Sequence, residues 1–272
     1  MAPFSKAVVQ LNLSSNMPLA SEYIAQAAIE LIVRRKHAMA GPRLPENCRP
    51  VDLEDGWQVQ QEVSRRLALT IGGWKAALPG PGKLVVAPIY APGISQQAAV
   101  LTRPGVDSVK VEPEIAYVVA RDLPARAQAY SEQEVDAAVG SVHAALEICA
   151  SRYLSLADLP FPELLADGLV NDGLWLGPAL AATEAPAFEL SWQIEGEPVQ
   201  QAQARHPNGQ PRAPLYWLAN FLRERGLGLL AGQTVITGSY AGVLELPLQR
   251  RVRFDYGGLA RFELSFAAAR QP

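Results

Sequence analysis

The amino-acid sequence predicts an α+β fold built around a mixed sheet. Three observations predict it. Helical periodicity is concentrated before residue 73, and short apolar runs punctuated by Pro and Gly take over from there. Only two further helices interrupt the seven runs that read as strands. Nowhere do strand and helix alternate in the βαβ order that a parallel α/β sheet requires.

Taken in order, Ser21 is placed to cap a first helix. That helix carries Ile24, Ala27, Ala28, Leu31 and Ile32 on one face and ends near Gly41. After the loop GPRLPENCRP, Asp52 caps a second helix with Leu53, Trp57, Gln60, Val63 and Leu67 on its faces, stopping at Gly72-Gly73. Residues 1–72 therefore read as an N-terminal extension and a small helical subdomain, and 73–272 as the β-rich main domain. Residues 1–18 fit no helix pattern and Met17 is a candidate alternative start, so 1–16 are expected to be dispensable for folding.

The strand candidates are 109–120, 143–150, 173–181, 188–195, 233–238, 249–256 and 259–267. Ser131-Glu132-Gln133-Glu134 forms a capping box for a helix running to about Val142. Another helix begins after Pro214 and closes at Gly226. The stretch RRVRFDYGGLARFELSF alternates and turns at Gly257-Gly258, a hairpin pattern. Pro113 inside a strand implies an edge or a bulge.

Composition excludes several classes. Basic and acidic residues are interspersed, with a net charge of −3, so no face is set up for nucleic acid or an anionic membrane. No apolar run approaches the ~18 residues that cross a bilayer. A secretory signal is not expected, because no cationic segment precedes a continuous apolar stretch at the N-terminus. The two cysteines, Cys48 and Cys149, are far apart in no metal-like spacing, and a reducing cytoplasm is the expected compartment.

The chemistry concentrates in three glutamates. Glu112 and Glu114 are two apart on a strand, so both leave one face, and the strand continues apolar on both faces through Ala120. Glu147 lies in Ala-Ala-Leu-Glu-Ile-Cys-Ala, where a lone buried charge costs several kcal/mol unless it is neutralised, paired or metal-bound. Carboxylates with no matching His or Cys pair suit a hard cation such as Mg²⁺ or Mn²⁺ rather than zinc. The rival reading pairs Glu147 with Arg152. Under the metal reading, Arg152→Ala leaves the site largely intact.

Lys75 sits in an apolar stretch of a chain with few lysines, and either snorkels to the surface or serves as an acid, base or carboxylate anchor. In the second role its pKa is expected to fall, through burial and a neighbouring cation. Cys149 shares a strand face with Glu147 and reads as a small buried side chain. Thr237-Gly238-Ser239 is either a plain turn or a carboxylate cradle.

These pieces stand in a recognisable order. Asp55 to Gln60 is followed by Gly73-Trp74-Lys75, Glu112-Pro113-Glu114-Ile115-Ala116, and Ala145-Leu146-Glu147-Ile148 with Ser151-Arg152. Ala166-Asp167 then leads to Gly173-Leu174-Trp175-Leu176-Gly177, His206-Pro207 precedes Trp217-Leu218-Ala219-Asn220, and Ala231-Gly232 precedes Thr237-Gly238-Ser239. The chain resembles, over about residues 20–267, the 2-oxopent-4-enoate hydratase and 4-oxalocrotonate decarboxylase branch of the fumarylacetoacetate hydrolase superfamily. The resemblance implies a mixed β-roll, a Mg²⁺ or Mn²⁺ site and a homo-oligomer. It matches Glu112, Glu114 and Glu147 to metal ligands and Lys75 to the catalytic lysine. It matches Thr237, Gly238 and Ser239 to a substrate-pocket turn, which Asp167 and Arg152 join as substrate-contact candidates.

Two segments depart from the hydratase pattern. Pro88-Ile89-Tyr90-Ala91 replaces Pro-Asp-[Phe/Tyr]-Gly, and Asp167-Gly168-Leu169-Val170-Asn171 replaces Asp-Asn-Ala-Ser-Ser. The expected substrate is a small 2-oxo acid such as 2-hydroxypenta-2,4-dienoate, as in aromatic meta-cleavage catabolism. Hydration is the expected reaction and decarboxylation of a 2-oxo-3-enedioate the alternative. A third reading is a catalytically weak partner subunit in a hydratase–decarboxylase complex.

Overall fold

The computed structural model describes residues 18–180 and 185–270. The expectation about residues 1–16 falls outside them. Helix α1 spans Ser21–Lys36 and α2 spans Leu53–Leu67. Asp52 caps α2, its side chain accepting from the Asp55 N–H at 2.9 Å. Ser21 does not cap α1. It is the first helical residue, and Ala20 occupies the cap position with no side-chain bond. The helix also stops at Lys36 rather than near Gly41. On its inner face Ala27, Ala28, Leu31 and Ile32 pack with Val59 and Val63 of α2, and with Tyr153 and Ala166 from the middle of the chain. Trp57, also on α2, turns instead into the main core.

The strands are β1 Ile71–Ala76, β2 Val86–Tyr90, β3 Ile94–Ser95, β4 Ala99–Thr102, β5 Ser108–Val119, β6 Val139–Cys149 and β7 Asn171–Ala179. They continue as β8 Ala187–Ile194, β9 Gln200–Arg205, β10 Thr234–Ile236, β11 Leu244–Pro247, β12 Arg251–Tyr256 and β13 Arg261–Ala268. Helices α3 (Glu132–Ala138), α4 (Phe161–Ala166) and α5 (Ala213–Glu224) connect them. One sheet runs β2-β1-β10-β5-β6-β7-β3, with β11 also on β5; the other runs β4-β13-β12-β8-β9. Parallel and antiparallel pairs are mixed in both. The two sheets share one large core, and the Tyr256 hydroxyl of β12 donates across it to the Ala145 carbonyl of β6 at 2.9 Å.

Several strands escaped the sequence pattern, and most lie at sheet edges. β2 holds Pro88 and ends its sheet, where a missing donor costs no ladder bond. β4 and β9 are the two edges of the smaller sheet, and the polar QQAQAR of β9 has no apolar alternation to signal it. β1 reads IGGWKA, whose glycines resemble a turn; Gly73 is there because the Thr234 carbonyl of β10 lies 2.3 Å from where its Cβ would be.

Pro113 is on neither an edge nor a bulge. It sits in central β5, opposite Leu146 of β6, in the interval where the other neighbour changes from β11 (residues 108–111) to β10 (residues 116–118). Its carbonyl on that side accepts from the Tyr240 N–H, so the absent N–H falls in the same gap. Helix α3 has the expected capping box but ends at Ala138, because Val139 is already extended and pairs with Val119. The hairpin at Gly257-Gly258 joins β12 to β13, both glycines having positive φ. No helix among the described residues is long and apolar enough to cross a membrane.

Candidate metal centre

Register assembles the centre. Glu112 on β5 is directly opposite Glu147 on β6, and Glu114 is opposite Ala145. All of them, with Cys149, face the same side of the sheet. Lys75 on β1 pairs with Ile236 on β10, which in turn pairs with Ala116 on β5, so the lysine enters on that face too. Beneath the polar groups lies a small apolar floor of Ile89, Ala116, Ala145, Leu174, Leu176 and Ile236.

The Lys75 ammonium donates to Glu147 Oε1 at 2.7 Å and to the Leu169 carbonyl at 3.2 Å. The Asn171 side-chain amide donates to the same Oε1 at 2.8 Å. Glu147 is completely buried, yet its Oε2 has no hydrogen-bond partner among the described residues. Glu114, also buried, accepts from the Gly238 N–H at 2.7 Å. Donor atoms of Glu112, Glu147 and Cys149 lie within 4.8 Å of one another. The structure thus brings Glu112 and Glu147 together and adds a thiol, while Glu114 has one oxygen, Oε2, engaged by the Gly238 N–H.

The electrostatics follow. Burial, then the Glu147 charge, raises the Glu112 carboxyl above the usual range. The same two causes raise Glu114 well above it, against the opposing pull of Lys75 and the Gly238 N–H. With all three carboxylates ionised against one ammonium, two negative charges would be left over, which a divalent cation would neutralise. An orphaned buried carboxylate oxygen and opposed glutamates therefore fit a hard cation. Burial and the Glu147 charge raise the Cys149 thiol. Burial works to lower Lys75, but the carboxylates, Glu147 first, outweigh it and hold the ammonium above the usual lysine range. The expected lowering belongs to the cation-loaded site; among the chain's own groups the ion pair with Glu147 prevails.

The pairing of Glu147 with Arg152 does not occur. Arg152 is fully buried and pairs with Asp167 through Nε, and its backbone N–H donates to Asp167 Oδ2 at 3.1 Å. Its Nη1 donates to the Asn171 carbonyl at 3.0 Å, and Nη2 to the Asp167 carbonyl at 2.5 Å. Arg152 and Asp167 are thus engaged with each other, and Asp167 also lines a small cavity with Arg35, Pro88 and Tyr90.

In the 237–239 turn, Thr237 is buried against His206, whose Nε2 lies 3.0 Å from the Thr237 carbonyl and 3.2 Å from its hydroxyl. The Asn208 N–H donates to Nδ1, which leaves the proton on Nε2. Ser239 caps its own turn by donating to the Gly242 carbonyl. Gly238 has φ +131° and Pro207 packs 2.7 Å from where a Cβ would be, so only glycine lets its N–H reach Glu114.

Asn171 is a site residue that the sequence pattern does not mark. It follows three consecutive left-handed residues, Gly168, Leu169 and Val170, and the latter two lack the freedom of glycine. That turn aims the Leu169 carbonyl at Lys75 and delivers the Asn171 amide to Glu147. Its sequence has no periodicity from which this could be read.

The Fumarylacetoacetate (FAA) hydrolase C-terminal family model matches residues 60–267. A 2-keto-4-pentenoate hydratase of Burkholderia vietnamiensis is 28% identical over 214 residues, covering 76% of this chain and 79% of that protein. One from Paraburkholderia xenovorans is 32% identical over 135 residues, covering 48% of each. Among solved structures, 4-oxalocrotonate decarboxylase from Pseudomonas putida G7, complexed with magnesium and adipate, superposes with a TM-score of 0.78 at 20% identity. That match covers 93% of this chain and all of the other. With three quarters of its length matched, the chain belongs to the fumarylacetoacetate hydrolase family.

Proposed function

We propose that this chain is a divalent-cation-dependent hydratase acting on a small 2-hydroxydienoate or 2-oxo acid, with Mg²⁺ or Mn²⁺ as cofactor. The observation that carries the reading is the Lys75–Glu147 pair at 2.7 Å beside Glu112, with Glu147 Oε2 left over. The hydratase names of the sequence relatives support it. Glu112 and Glu147 would hold the cation, with Glu114 next to them. When bound, the cation supplies positive charge to the carboxylate and C2 oxygen of the acid.

The rest of the work falls to the chain's own groups. Lys75 Nζ can give a proton to the substrate carbon that becomes saturated. Once neutral, it can take one back from the water that adds. Proton transfer of this kind contributes typically about 10²–10⁴-fold. Asn171 and the Leu169 carbonyl keep Glu147 and Lys75 in place during both steps. The floor of Ile89, Ala116 and Leu174 keeps bulk water from below.

A second reading, 2-oxo-3-enedioate decarboxylation, is favoured by Ile89. It is fully buried in that floor where hydratases of the resembling branch carry an acid. The third, a silent partner subunit, is disfavoured by the complete Lys75–Glu147–Asn171 arrangement. Incubation with Mg²⁺ and either 2-hydroxypenta-2,4-dienoate or 2-oxohex-3-enedioate decides among them. Water addition to the first supports the hydratase, CO₂ release from the second the decarboxylase, and neither product the silent subunit. Glu147→Gln should abolish cation binding by calorimetry while the fold survives; unchanged affinity would remove the cation from the reading. We also propose that the chain acts as a homo-oligomer, which light scattering tests.

A further inference from the structure

Cys149 is the third donor of the cluster with Glu112 and Glu147, and its chemistry differs from that of its neighbours. Its sulfur and one oxygen each of Glu112 and Glu147 are mutually within 4.8 Å. Strand period puts Cys149 two residues beyond Glu147 on β6, on the same face. The thiol is free and its sulfur is turned into the cluster. A second observation marks the same place. Glu147 has Oε1 occupied by Lys75 and Asn171, and its completely buried Oε2 has no partner among the described residues. Glu114 meanwhile is held by the Gly238 N–H.

Two carboxylates and one thiol form a donor set with both hard and soft character. Mg²⁺ is satisfied by the oxygens and water and is indifferent to sulfur. Borderline and soft ions such as Co²⁺, Zn²⁺ and Cd²⁺ gain a metal–sulfur bond. We propose that Cys149 is a donor in the cation site, so that Glu112, Glu147 and Cys149 together take thiophilic divalent cations in competition with Mg²⁺. This rests on the reading of the site as a cation centre. Binding through sulfur replaces the thiol proton with the metal–sulfur bond, and the proton leaves to the buffer. Thiophilic ions should accordingly displace the hard cation.

The test uses the full chain freed of metal with a chelator and Co²⁺ as the probe. Co²⁺ should produce thiolate-to-cobalt charge-transfer absorption in the near ultraviolet, and excess Mg²⁺ should bleach it. The chain has two cysteines, so in Cys48→Ser the remaining thiol is Cys149, and the band should persist there with the site untouched. Cys149→Ser and Cys149→Val should lose the band. Their Cd²⁺ affinity should fall by about tenfold or more, the scale of losing one good ligand, while Mg²⁺ affinity by calorimetry stays close to that of the unaltered protein. Absence of the band while Mg²⁺ still binds overturns the thiol donor and leaves the cation centre standing. A band that Mg²⁺ cannot bleach, or that vanishes in Cys48→Ser, overturns it as well. Failure of both Mg²⁺ and Co²⁺ to bind removes the cation centre itself.

Discussion

Two buried clusters of charge lie a few residues apart in the chain and behave in opposite ways. Around Arg152, three arginines (Arg35, Arg103 and Arg152) interlock with two aspartates (Asp167 and Asp172), and their donors are used. Asp167 is paired with Arg152, and Asp172 is gripped by Arg103 at 2.7 and 2.9 Å, with further donors going to backbone carbonyls. Around Glu147, three carboxylates share one lysine, and one buried oxygen has no partner among the described residues. Glu147 and Arg152 are equally buried. Burial of charge therefore does not mark a binding site. Like charges crowded together with an oxygen left over do, because the fold holds them at a cost that a ligand can relieve.

The most direct way to break this contrast is Arg152→Ala. If the cluster is structural, the change strands Asp167 in the interior and should cost about 3–5 kcal/mol, read as a large fall in Tm. It should also disturb the cation site, because Arg152 holds the Asn171 carbonyl. The expectation from sequence that this variant spares the site stands against that bond, and Mg²⁺ calorimetry of the variant decides between them. A near-normal Tm would mean the arginine cluster carries little of the fold.

Lys75→Met should do the reverse, lowering turnover by about 10²–10⁴-fold with little loss of stability. Removing the cation from that variant should leave it less stable, since Glu147 then has no positive neighbour. Retained turnover would make the lysine a mere counter-ion.

Asn171→Leu tests the seam between the clusters. It keeps the branched shape and deletes one donor to Glu147, so Mg²⁺ affinity should drop by about 10–100-fold, as for other outer-shell partners of a ligand. An unchanged calorimetric affinity would show that Lys75 alone orients the carboxylate.

The smallest effect is expected at acid pH. Burial works to raise Asp172, but the Arg103 hydrogen bonds and neighbouring arginines hold its carboxyl below the usual range. With the folded value below the unfolded one, its stabilisation is present above the unfolded pKa and is lost as pH falls through the folded one. Arg103→Met should thus lower Tm at neutral pH by only about 2–4 °C, and the gap should close as pH drops through that window. A gap independent of pH would assign the loss to packing.

The sequence by itself determined the local half of the molecule. The Asp52 cap, the Ser131 capping box and the hairpin at Gly257-Gly258 are set by residues within a few positions of each other. So is the shared face of Glu112 and Glu114, through the two-residue strand period. Glu147 was legible for the same reason, a charge in a run with no polar neighbour. Tertiary structure decided who meets whom. Lys75 reaches Glu147 because β1 pairs with β10, whose residues follow it by about 160 positions, and no local pattern encodes that register. Arg152 chose Asp167, Glu114 chose the Gly238 N–H, and Asn171 and Cys149 closed on Glu147. Each of these follows from strand order and from the left-handed turn at 168–170, which are products of the whole packed chain. Periodicity fixes the face a side chain leaves, and only the packing of distant strands fixes what it finds there.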